Sequence, residues 1–118
     1  PAVKYEDLNG RGNGETSAEI RKRVIRAQEI QLNRYKDEGV YFNSQLSAAL
    51  IDKYCILGDE ERMLLKSAFD RLNLSARAYH KILKVARTIA DLDGEENING
   101  RHIAEAIQYR TLDRRFSY

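Results

Sequence analysis

The sequence predicts an all-α fold, a bundle of about five helices. Three observations predict it. Apolar residues recur at spacings of three and four in one segment after another. The glycines gather at the edges of those segments, where helices end and short loops begin. The only proline, Pro1, lies outside every periodic stretch, so no helix interior carries a breaker. No convincing strand pattern follows residue 8, and no internal repeat or low-complexity tract interrupts the helical pattern.

The elements follow in order. PAVKYEDL at the start reads like the tail of a strand and its exit loop, and NGRGNG at 9–14 like a flexible linker. Thr16 and Glu19 have capping-box spacing, so a first helix opens there. It buries Ile20, Val24, Ala27, Gln31 and Tyr35 and ends before Gly39. Gln31 interrupts that stripe, and a buried amide must find partners, so it is expected to bond to backbone of a neighbouring helix. Asn43 is placed as the cap of a short second helix through Leu46, Leu50 and Tyr54, stopped by Gly58. Asp59 is read as the cap of a third, with Glu60 and Glu61 in the favourable first turn and Met63, Leu64, Ala68 and Leu72 buried. Ser75 caps the fourth helix, whose apolar face is Ala78, Ile82, Val85, Ala86 and Ile89. Gly94 ends it, and Asn99 caps a last helix carrying Ile103, Ala106 and Ile107.

Length and composition narrow the function. The 118 residues suffice for one small domain with a modest core. A net charge of +2 implies no strong overall field for nucleic acid or membrane. No apolar run approaches the ~20 residues of a membrane span, and the N-terminus does not read as a signal peptide. Cys55 is the only cysteine, which excludes an internal disulfide and suits a cytoplasmic protein. It sits in an apolar stretch, as a small core residue does. The two histidines, His80 and His102, are too few and too far apart for a metal site and read as exposed or capping residues. Gly10, Gly12 and Gly14 alternate without the lysine of a phosphate loop. No Ser/His/Asp arrangement has a persuasive context. By its own residues the chain is not a complete enzyme, and no metal or cofactor is expected on it alone. Tyr79, Tyr109 and Arg110 are read as packing helix ends.

The fourth helix differs from the rest. Arg77 stands in its first turn, where the helix N-terminus already carries partial positive charge. At about 100° per residue, Lys81, Lys84 and Thr88 share its face, with His80 and Asp91 beside them. Two readings are open. A polar stripe on a bundle helix is ordinarily a solvated face. A guanidinium fork beside free backbone N–H groups also suits a phosphate.

Three segments carry a resemblance: GETSAEIRKRV at 14–24, LSARAYHKILKVARTIADLDG at 74–94, and INGRHIAEAIQYRTLDR at 98–114. In order and spacing they resemble the C-terminal domain of bacterial magnesium-chelatase-like AAA+ ATPases, in the branch called YifB or ComM, the competence-protein type. Residues 39–72 match only in helical pattern. The resemblance implies that residues 15–118 form a C-terminal helical lid, and that 1–14 lead into it from an ATPase core. It implies that Arg77 is the sensor-2 arginine reaching the γ-phosphate of ATP held by that core, with Ser75 and Lys81 in support. For the intact protein it implies an ATPase using ATP and Mg, a homo-oligomeric ring, and a helicase that promotes branch migration on DNA. Arg21, Lys22 and Arg26, with Arg11 and Arg23, are candidates for a DNA or subunit surface, although they spread around the first helix. The alternative is a free-standing helical module that binds DNA or protein.

Overall fold

A computed structural model describes residues 15–116, with side chains through Thr111. The expected strand exit and linker at 1–14 lie outside the described residues. Five α-helices follow one another: α1 (Ser17–Arg34), α2 (Ala48–Tyr54), α3 (Asp59–Leu72), α4 (Ala76–Leu92) and α5 (Gly100–Phe116), with a 3-10 turn at Asn43–Gln45 between α1 and α2. The described residues contain no strand.

The helices begin where local chemistry satisfies their free N–H groups. The Thr16 hydroxyl accepts from the Glu19 N–H at 3.2 Å, and the Glu19 carboxylate accepts from the Thr16 N–H at 2.9 Å, which completes the capping box. Ser75 caps α4 by accepting from the Ala78 N–H at 3.1 Å. Asn99 caps α5 through the N–H groups of Arg101 and His102. His102 then reaches back, its Nδ1 accepting from the Asn99 N–H at 3.0 Å, so a histidine does the work of the usual glutamate. α4 gives way to a turn in which Gly94 has φ +72°, a conformation that a side chain disfavours.

α4 is the centre of the bundle. It packs against α1, the 3-10 turn, α2 and α5, while α3 packs on α5. Its buried arc carries Ala78, Ile82, Leu83, Ala86 and Ala90, with Val85 and Ile89 only partly covered. Around it lie Tyr35, Leu46, Ile51, Leu65 and Ile103. Cys55 is buried too, and burial pushes its thiol up to about 11.

α1 ends at Arg34, before Gly39 as expected, and Gly39 has φ +79°. Four expectations need correction. The α1 stripe is buried only from Ala27 onward, and Ile20 and Val24 stay exposed. Asn43 does not cap α2. Its amide is committed to the core, and Ser47 takes the cap by accepting from the Leu50 N–H. In α3 the N-cap is Gly58, with Asp59 the first helical residue; Ala68 is buried as expected, but Leu65 takes the inward place in preference to Met63, Leu64 and Leu72. Met63-Leu64-Leu65 is a run of three apolar residues, and only one line of a helix can meet α5.

Candidate functional site

The start of α4 is fixed by the residues before it. Asn73 takes the left-handed conformation at φ 54°, and the Leu74 N–H donates to the Phe69 carbonyl at 3.0 Å. Leu74 is buried, Ser75 is extended, and its hydroxyl oxygen is occupied by the cap. The N–H groups of Ala76 and Arg77 have no acceptor within the helix, and no acidic residue lies in the first turn. Arg77 is exposed, and no described residue forms a hydrogen bond or ion pair with it.

Arg77 borders an open groove of about 900 Å³. Arg77, His80, Lys81, Lys84 and Thr88 form the α4 wall, and Ser44 of the 3-10 turn stands across from them. Leu46, Ile51, Val85 and Ile89 supply apolar surface, and Tyr109 of α5 joins the lining. The Lys84 ammonium donates to the Ser44 carbonyl at 3.4 Å and so ties the two walls. Of the candidate residues, the structure brings Arg77 and Lys81 together on this groove, and Ser75 sits just ahead of them as the cap. Arg21, Lys22 and Arg26 are exposed on α1 and do not line it. Arg23 pairs with Glu15 at 3.0 Å. Among the described residues, no group of three or more histidine, cysteine, aspartate or glutamate side chains could hold a metal ion.

Asp91 was expected beside the polar stripe and instead lies in the core at 1% exposure. Its carboxylate accepts both arms of the Arg34 guanidinium, at 3.0 and 2.7 Å, and the Asn43 amide at 3.0 Å. Arg87, one helical turn back, approaches it to 3.2 Å. The same Asn43 amide donates to Thr88, and the Asn43 backbone N–H donates to the Gln31 side chain at 2.9 Å. Gln31 therefore does find a backbone partner, in the 3-10 turn. Arg87 donates from its two terminal nitrogens to the carbonyls of Glu96 and Glu95 and closes the loop into α5, while its buried Nε has no partner among the described residues. Burial disfavours the charged Arg34, but hydrogen bonds to Asp91 and Tyr35, with the negative charge of Asp91, together outweigh it and raise the guanidinium above its ordinary value. This cluster pins α1 and the 3-10 turn to α4 and thereby sets the spacing of the groove walls. Sequence reasoning missed it. The one available signal was the opposite-charge pair Arg87 and Asp91, four apart and interleaved with Ala86 and Ala90.

Residues 14–110 match the family described as magnesium chelatase, subunit ChlI C-terminal. The chain belongs to that family. It is 44% identical over 115 residues to competence protein ComM of Haemophilus influenzae, covering 97% of this chain and 22% of the relative. It is 43% identical over 101 residues to YifB of Salmonella typhimurium and 41% over 101 residues to YifB of Escherichia coli. Each YifB match covers 86% of this chain and 19% of the relative. The chain spans about a fifth of the length of the relatives it matches. As a magnesium chelatase C-terminal domain it is a helical bundle of the lid type, with the segment 74–94 forming the central helix α4 and its two flanks. No described helix is long and apolar enough to cross a membrane.

Proposed function

We propose that this domain is the helical lid of a magnesium-chelatase-related AAA+ ATPase, and that Arg77 is its sensor-2 residue. Arg77 reaches the γ-phosphate of ATP bound by an ATPase core elsewhere in the intact protein. The observation that carries the reading is the free, exposed guanidinium at the start of α4, on the lip of a groove with three further basic side chains. A fork of N–H donors next to a helix N-terminus suits an anionic group such as a phosphate. Lys81, one turn further on, adds positive charge along the same wall, and Ser75 holds the turn that aims Arg77. The Mg that accompanies ATP takes its ligands from the core. On hydrolysis the contact with the γ-phosphate is lost and the lid is released, as phosphate contacts drive motion in other switches.

The intact protein, on this reading, is a cytoplasmic homo-oligomeric ring that uses ATP to drive a DNA helicase or branch-migration activity. Its similarity to a competence protein supports a role on DNA. The test is steady-state turnover by the intact protein. Arg77→Ala slows hydrolysis roughly ten- to a thousandfold, the effect of losing one electrostatic stabiliser of the transferred group. Unchanged turnover, with unchanged nucleotide-dependent assembly, overturns the assignment. A free-standing DNA-binding module is the competing outcome. It would show tight DNA binding by this chain alone, falling steeply between two salt concentrations as counterions are released.

A further inference from the structure

The groove along α4 extends past what one phosphate contact uses. From His80 to Ile89 its α4 wall rises about 14 Å away from Arg77. At about 100° per residue, Lys84 and Thr88 fall to one side of Lys81, and Val85 and Ile89 to the other. The first side meets the 3-10 turn, where Lys84 donates to the Ser44 carbonyl at 3.4 Å. That bond is long, and a carboxylate is the stronger acceptor for an ammonium. The second side is apolar. Val85 and Ile89 are only partly covered, and Leu46 and Ile51 continue the surface. Tyr109 of α5 adds a ring that is 53% exposed. Among the described residues, no carboxylate lines the groove.

An occupant that fits both sides carries negative charge along one edge and apolar side chains along the other. An extended peptide fits poorly, because the described residues offer no strand whose edge could pair its backbone. An inorganic anion satisfies the cations and leaves the apolar side wet. A helix pairs its own backbone and presents two different faces. We propose that the groove from His80 to Ile89 docks an acidic amphipathic helix presented by a separate partner protein. Its carboxylates face Lys84 and Lys81, and its apolar side chains pack on Val85, Ile89 and Tyr109. A groove of this length takes about two and a half turns. The proposal goes beyond the nucleotide reading and uses neither Arg77 nor bound nucleotide, so either can fail alone.

Fluorescence anisotropy with two labelled probe peptides of equal composition tests it. One carries leucines at i, i+3, i+4 and i+7 with glutamates on the flanks, and the other scatters the same residues round the helix. The first binds the 118-residue chain at least about tenfold more tightly, since it alone covers the apolar side and the cations together. Its affinity falls with rising ionic strength without vanishing, because part of the contact is apolar. Lys84→Glu weakens it about tenfold or more, as like charges meet. Val85→Ala weakens it several-fold through lost apolar contact. Circular dichroism shows that each variant keeps its helices and that the bound probe gains helix. The intact protein binds the probe as well as the chain does. No binding of either probe, or equal binding of both, overturns the proposal, as does binding that neither substitution changes. Binding by the chain with none by the intact protein assigns the groove to the protein's own remainder and overturns it too. So does a single-stranded oligonucleotide that binds more tightly than the probe and displaces it.

Discussion

Asp91 is the residue on which most of the polar core converges. One carboxylate neutralises the partly exposed Arg34, approaches the buried Arg87 and accepts from the buried Asn43. Removing one member of a buried charge cluster leaves the others uncompensated, at a cost of about 3–5 kcal/mol. Asp91→Ala therefore lowers the unfolding free energy by about that amount, read from urea denaturation of the chain. A loss well under about 1 kcal/mol, the scale of a surface ion pair, would show that water replaces the carboxylate. None of this was legible in the sequence. Arg34 and Asp91 are 57 positions apart, and nothing local marks an arginine at the end of one helix as the partner of an aspartate at the end of another. Arg77 is the opposite case. Its position in a first turn follows from Ser75 and the apolar spacing behind it, so the residue was found before its surroundings were known.

At the scale of the element, the starts of α1, α4 and α5 were legible, whereas the caps of α2 and α3 and the buried side of α3 were not. Thr16, Ser75, Gly94 and Asn99 act within a few residues of themselves, and each performs the expected job. The buried side of α3 was not fixed by spacing alone, because Met63, Leu64 and Leu65 offer three directions and packing against α5 selects one. The Ser75 cap holds the helix that carries the candidate site, so Ser75→Ala costs about 1 kcal/mol. The same variant loosens the first turn, which amide exchange at Ala78 reports as faster opening; unaltered exchange there contradicts the role. The junction of α4 and α5 responds to acid. Burial raises the affinity of Asp93 for its proton, but hydrogen bonds from His102 and Arg101 outweigh it and hold the carboxyl below its ordinary 3.8. A carboxyl lowered in the folded state contributes stability that is complete above 3.8 and is lost as pH falls through the folded value. Between about pH 5 and pH 3 the wild-type urea midpoint should therefore drop further than that of Asp93→Asn. Parallel pH profiles for the two would assign the acid sensitivity elsewhere.

For the whole molecule, the bundle holds one continuous core, and a basic groove opens outward along α4. The all-α class was legible because helical periodicity and glycine placement repeat along the chain. The groove was not, because it depends on how far the 3-10 turn stands from α4, a distance set by Asn43, Thr88 and Asp91 together. The chain spans about a fifth of the length of its relatives, and on the proposed reading it supplies one side of a nucleotide site. Its contribution should appear as discrimination between nucleotides, with most of the affinity coming from the core. The most direct measurement is the ratio of ATP to ADP affinity in the intact protein, with and without Arg77→Ala. The account predicts that the substitution lowers the preference for ATP about tenfold, the size of one charge-assisted hydrogen bond to phosphate, while ADP affinity holds. Equal preference in the two proteins would contradict it.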